Sequence, residues 1–413
     1  MTQGREWPPS ADINHFLETV EDWYHADREG FQTLYEAAVA NVVPYPAPEG
    51  GQRDNEWKNK DIKGLCEFFR SWHRWQLEEC GVDNGLEYIE KFSELNYEND
   101  YGMVFVTCGP GLKMLADFTQ LQGRQMDSEE SRKVTQRWIE QLGKKRMDDY
   151  VALDWRNFNE FFVREVKKDR RPVDAPADDS VVVAPADCVI NMIVDRLTLE
   201  TPIPVKSVTM NVQQLLDGSP YAEKFLDGTA VSCVLMPDNY HRYHAPVSGE
   251  VVESRADVGG VYYGMRDFPD LLNKGDVGYG YDYEMFDQFR RGYVVIRTRY
   301  LDAEGKPVPG PDGVGHVGMV TVGLNSIASV VYQEQFRAIS PESQPVPVRK
   351  GEEIGYFQYG GSLNILLFEK DRFPALQVLQ GQRIGLLERK ERVQKLFTSH
   401  HHLQSRRLRR LAP

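Results

Sequence analysis

The sequence predicts an α+β protein: an N-terminal helical domain followed by a β-rich core with peripheral helices. Three observations predict it. Up to about residue 147, apolar residues recur near a 3.6-residue period between charges. From about Asp178 the texture changes to short β-branched runs bounded by Gly, Pro, Asn and Asp. The 413 residues leave room for two or three domains of about 150 residues each.

In the first half the helical pattern covers 12–24, 30–40, 54–80, 111–121 and 128–142. The third is the clearest, with Trp57, Ile62, Leu65, Phe69, Trp72 and Leu77 on one face. Pro44-Tyr45-Pro46-Ala47-Pro48 and Cys108-Gly109-Pro110-Gly111 interrupt the pattern. In the second half strands are expected at 180–183, 231–236, 249–252, 293–298 and 317–322, as in a sandwich or barrel-like core. Helices are expected at 374–380 and 387–396. The resulting domains are 1–147, 148–396 and a basic C-terminal tail, 397–413, carrying Arg406, Arg407, Arg409 and Arg410.

Charge narrows the function. The chain has 49 basic and 62 acidic residues, a net charge of −13. Residues 1–150 alone hold 28 acidic and 17 basic residues. Phosphate contacts need clustered Lys and Arg, so a general nucleic-acid binder is excluded. No apolar run reaches the roughly 18 residues of a membrane span. The start lacks the basic and apolar segments of a secretory signal. Cys66, Cys80, Cys108, Cys188 and Cys233 are odd in number, widely spaced and without a CxxC. That argues against a disulfide scaffold or structural zinc, and the expected location is the cytoplasm.

Three features in the β-rich half carry chemistry. His241 and His244 lie three apart in Tyr240-His241-Arg242-Tyr243-His244-Ala245-Pro246. Neutral imidazoles suit proton transfer near neutral pH. The pair also suits a metal, although no third ligand is evident, or a structural place at a strand end. Gly360-Gly361-Ser362 would let a serine approach the carbonyl before it, and equally reads as a glycine turn. Asp187, in Pro185-Ala186-Asp187, would orient a histidine or simply sit in a turn.

Taken in order, these residues resemble the phosphatidylserine decarboxylase family. The resemblance starts at Phe158-Asn159-Glu160-Phe161-Phe162-Val163-Arg164 and Arg171-Pro172. It continues through Ala184-Pro185-Ala186-Asp187 and the histidine block up to Gly249, and ends at Gly360-Gly361-Ser362. It covers about residues 150–390 and implies a β-rich catalytic core. It also implies self-cleavage between Gly361 and Ser362, leaving fragments 1–361 and 362–413. Ser362 would become a pyruvoyl group, the only cofactor implied, with no pyridoxal phosphate and no metal. By the same resemblance His244 is the base for self-cleavage, Asp187 orients it, and His241 transfers a proton during decarboxylation. The substrate amine would form a Schiff base with the pyruvoyl group, which then takes up the electrons of the departing carboxylate. Family members suggest a homodimer.

Departures from the family bear on the substrate. Bacterial membrane-bound members carry Leu-Gly-Ser-Thr where this chain has Gly360-Gly361-Ser362-Leu363. An Asn-Glu-Arg element corresponds here to Phe289-Arg290-Arg291. The acidic helical domain resembles that of a soluble branch that includes fungal tryptophan decarboxylases. The leading expectation is therefore decarboxylation of a free, small-molecule amino acid, aromatic and tryptophan-like, to its amine. Tyr262, Tyr263, Phe357 and Tyr359 would line the substrate pocket. The alternative is a phosphatidylserine decarboxylase making phosphatidylethanolamine, the one reading with membrane contact. A second alternative is a lipoyl-like β-sandwich binding module without catalysis.

Overall fold

The computed structural model describes residues 10–44, 54–82, 84–85, 87–96, 99–107, 109–198, 203–205, 208–259, 290–302, 304–323, 330–360, 362–373, 376 and 380. Gly361, Tyr262, Tyr263, the expected helix at 387–396, most of 374–380 and the basic tail lie outside the described residues. The chain divides into two compact units. One runs to residue 141 and takes in 155–159; the other holds 142–154 and most of the chain from 160 onward.

The first unit is helical. Its elements are α1 (Ile13–His25), α2 (Phe31–Ala40), α3 (Ile62–Glu78), α4 (Glu87–Asn96), α5 (Asp100–Thr107) and α6 (Gly109–Asp127); α7 (Arg132–Met147), broken at Gly143, begins in this unit and ends in the second. Asp12 and Asp61 start α1 and α3 by accepting from His15 N and Gly64 N, each at 3.0 Å. The helix expected from 54 begins only at Ile62. Asn55 Oδ1 instead accepts Trp57 N at 2.9 Å, and Trp57 Nε1 donates to Lys91 O at 2.8 Å. Trp57 thus reaches the core from a turn. The buried face of α3 centres on Phe69, whose ring lies 4.6 Å from Phe118 and 5.3 Å from Phe16.

A short helix, α8 (Phe158–Phe162), precedes the strands. These are β1 (Val189–Asp195), β2 (Ile203–Val205), β3 (Val208–Met210), β4 (Thr229–Leu235), β5 (Arg242–His244), β6 (Gly249–Val258) and β7 (Arg291–Arg299). There follow β8 (Val314–Gly323), β9 (Val330–Tyr332), β10 (Ala338–Ile339), β11 (Val346–Val348), β12 (Glu353–Phe357) and β13 (Ser362–Phe368). The main sheet has the order β1-β4-β13-β8-β7-β6-β10, with β11 also on β6. A second sheet has the order β5-β12-β9, and β2 pairs with β3. Every pairing is antiparallel. Leu235, Val294, Met319 and Leu366 of the main sheet share one apolar core with Tyr243, Tyr332, Ile354 and Phe357 of the second.

Strand β13 lies inside the main sheet, between β4 and β8, and all seven of its residues are buried. Its first residue, Ser362, is paired with Leu235 on one side and Gly323 on the other. The strands expected at 231–236, 249–252, 293–298 and 317–322 form as β4, β6, β7 and β8. The expected strand at 180–183 does not form. Its backbone groups go elsewhere: Val181 N donates to Asp178 O at 3.2 Å, Val181 O accepts from Lys350 Nζ at 3.1 Å, and Val183 N donates to Pro246 O at 3.0 Å.

Candidate active site

The backbone before Ser362 sets its position. Gly360 has φ +144°, a conformation that L side chains rarely adopt, so the turn into β13 needs glycine there. Ser362 is 2 % exposed. Its Oγ lies 3.2 Å from His241 Nδ1. His241 Nε2 lies 3.1 Å from both Met236 O and Pro237 O. Carbonyls only accept, so the proton belongs on Nε2, and Nδ1 is left to accept from the serine hydroxyl.

His241 is fully buried, with the Phe162 ring stacked on it at 4.0 Å. Burial, assisted by the Arg164 charge, pushes its pKa down to about 3. The ring is therefore neutral at physiological pH.

Two arginines hold the loop between β4 and β5 that delivers His241. Arg164 Nη2 donates to Asp238 O at 3.0 Å and Asn239 O at 3.1 Å. Its guanidinium lies over the rings of Tyr150 and Phe161, at 4.2 and 4.7 Å. Arg146 donates to Asp238 Oδ2 at 2.6 Å and Asp238 O at 2.9 Å. Both arginines are buried, so their charges are spent on fixing this loop.

His244 sits three residues on, at the end of β5. Its Nδ1 donates to Gly351 O at 2.9 Å, and its Nε2 accepts from Tyr240 OH at 2.9 Å. Burial lowers its pKa as well. Gly351 has φ +79°, and a Cβ there would stand 2.3 Å from Val173 Cγ2. Asp187 is held by Arg171. Arg171 Nε donates to Oδ1 at 2.8 Å, and its Nη2 donates to Oδ2 at 2.9 Å. Arg171 Nη1 also donates to Asp149 Oδ2 at 3.0 Å. The Asp187 charge pulls upward on the pKa of both histidines.

Measured against the sequence expectations, the structure brings Ser362 to His241 and not to His244. Asp187 is gripped by Arg171, and its charge acts on His244. Phe357 belongs to the apolar core. It is fully buried in the core, its ring 4.8 Å from Tyr243. Tyr359 is buried edge-on to Phe162, at 5.3 Å, and so borders the His241 site. Sequence reasoning gave no role to Arg146, Tyr240 or Asn364. For Arg164 and Arg171 the signal was their place in the Phe161-Phe162-Val163-Arg164 … Arg171-Pro172 segment. Among the described residues no group of three or more His, Cys, Asp or Glu side chains is arranged to hold a metal.

A buried serine thus opens a central strand with a neutral imidazole at its hydroxyl, a nucleophile beside a hydrogen-bond acceptor. The family model described as phosphatidylserine decarboxylase matches residues 158–389. A phosphatidylserine decarboxylase proenzyme of Anoxybacillus flavithermus (strain DSM 21510 / WK1) is 32% identical over 289 residues, 68% of this chain and 93% of that one. Proenzymes of the same name from Clostridium perfringens (strain SM101 / Type A) and Clostridium novyi (strain NT) are 29% and 26% identical. They align over 70% and 77% of this chain, and over 84% and 98% of their own. The chain belongs to the phosphatidylserine decarboxylase family and is a decarboxylase, a carboxy-lyase.

Proposed function

We propose that the chain is a proenzyme that cuts itself between Gly361 and Ser362 and then decarboxylates phosphatidylserine to phosphatidylethanolamine. The observation that carries the self-cleavage is the 3.2 Å contact between Ser362 Oγ and His241 Nδ1 at the start of a buried central strand. The relatives' names support the substrate. The free aromatic amino acid expected from the sequence has less behind it: Tyr262 and Tyr263 lie outside the described residues, and Phe357 is core.

The residues present fit a pyruvoyl group made from Ser362. The serine is poised beside a proton acceptor, and its surroundings exclude water. When formed, such a group supplies a carbonyl that takes up the electrons of a leaving carboxylate. The chain's own residues do the rest. His241, held neutral, keeps the Ser362 hydroxyl in place. By the family resemblance we assign proton removal in self-cleavage to His244, although it is His241 whose Nδ1 meets the serine hydroxyl. His244 must leave its bond to Tyr240 to reach the serine. Arg171 holds Asp187, and His241 Nδ1, which faces Ser362, takes a proton from the substrate's ammonium group and returns it after CO2 departs.

Intact mass tests the first half: two chains for the wild type, and one of 47.4 kDa for Ser362→Ala. Incubation with phosphatidylserine liposomes and, separately, with tryptophan, tyrosine and phenylalanine tests the second. Phosphatidylethanolamine is the expected product. Aromatic amines alone would overturn the substrate.

A further inference from the structure

Strand β13 carries a second polar side chain on the face of Ser362. Side chains alternate along a strand, so Ser362, Asn364 and Leu366 share a face. On that face Leu366 and Phe368 belong to the apolar core. Asn364 is completely buried, and neither its Nδ2 nor its Oδ1 has a hydrogen-bond partner among the described residues. Its cross-strand neighbours are Cys233 on β4 and Thr321 on β8. A thiol is a weak partner. Thr321 is already engaged, with Oγ1 3.2 Å from Gly292 O and 2.9 Å from Tyr332 OH. An unspent amide in an apolar core calls for an explanation.

The proposed self-cleavage supplies one. Before the reaction the carbonyl carbon of Gly361 is bonded to the backbone nitrogen of Ser362. After Oγ adds, that carbon hangs from the serine side chain, on the inner face. Negative charge develops on its oxygen as it moves there. We propose that Asn364 Nδ2–H donates to this oxyanion, and so acts catalytically in maturation. This rests on the self-cleavage reading.

The steps balance. Oγ bonds to the carbonyl carbon, its proton passes to an imidazole, and the carbonyl π pair moves to oxygen. Collapse breaks the C–N bond, and the imidazole returns the proton to the Ser362 nitrogen, leaving an ester. In the following elimination Ser362 loses its Cα proton and the Cβ–Oγ bond breaks, which frees the Gly361 carboxylate. Asn364 serves only the first two events.

The test follows self-cleavage of freshly synthesised full-length chain by intact mass, with hydroxylamine added to intercept the ester. Asn364→Leu keeps the volume and removes the donor. It is expected to slow cleavage by about 100-fold, the usual loss for one oxyanion donor, and to lower the hydroxylamine-released fraction in step. On a Ser362→Ala background, where neither chain is cut, Asn364→Leu is expected to leave Tm unchanged or raised, because a buried unpaired amide is gone. If the leucine variant does not fold, Asn364→Ala is read in its place. A folded variant that cleaves at the wild-type rate overturns the proposal. So does one that accumulates ester normally and stalls later. A wild-type chain that stays whole overturns the self-cleavage reading along with it, and so marks the two failures apart.

Discussion

Arg171 grips Asp187 through both carboxylate oxygens while its remaining amino group holds Asp149. A carboxylate whose charge acts on both histidines is thus fixed by a residue sixteen positions earlier. The side chains of Arg171 and Asp187 are 26 % and 12 % exposed, between a surface pair and a core pair.

Arg171→Gln should therefore cost on the order of 1–3 kcal/mol, between the values for exposed and buried pairs. Urea unfolding in the Ser362→Ala background measures it. Self-cleavage should slow as well, and Arg171→Lys should restore it only in part, because an ammonium cannot span both oxygens. Full rescue by lysine would show that charge alone matters.

The two histidines should separate by step. His244→Ala is expected to stay at 47.4 kDa. His241→Ala is expected to cleave and to lose at least about 100-fold in turnover, the range for a general acid. The reverse pattern would make His241 the base, as its contact with Ser362 by itself suggests.

Burial of His241 predicts a pH-dependent stability. Its folded pKa is pushed down to about 3, against about 6.5 unfolded. Between those values the unfolded chain binds the extra proton, so stability falls as pH drops from about 6.5 towards 3. Urea midpoints of Ser362→Ala should decline over that window. Adding His241→Gln should flatten the decline, and an unaltered slope would assign it to other groups.

Gly351→Ala combines a strained φ with a Cβ placed against Val173. A loss of about 1–3 kcal/mol is expected, read as a lower Tm. Because the Gly351 carbonyl accepts from His244 Nδ1, cleavage should slow by more than the stability loss explains.

Much of this was legible in the sequence. The faces of α1 and α3, and strands β4, β6, β7 and β8, follow from periodicity and β-branched runs. Strand β13 was not read as a strand. Its stretch Ser362-Leu363-Asn364-Ile365-Leu366-Leu367-Phe368 lies inside the sheet, and a strand buried on both faces shows no alternation. Helix α5 escaped because Gly102 reads as a breaker. In the fold it allows close approach: a Cβ there would stand 2.1 Å from Leu95 O. At the site, motif order singled out Ser362, Asp187 and the histidines. Nothing in the sequence distinguished Arg146 from a surface charge, and the motif that contains Arg164 gave it no partner, because burial of a guanidinium depends on the loop it meets in three dimensions.

The placement of β13 has a consequence in time. A strand bonded on both sides meets the His241 site at its leading end only once its neighbours have assembled around it, so the proposed scission would follow folding. After it, the piece that begins at Ser362 would stay woven into the sheet through β13, though no peptide bond would tie it to the rest. Refolding would then be an encounter between two chains. A mature molecule that unfolds in dilute solution would not come back, so each copy would be armed once and last as long as its first fold does.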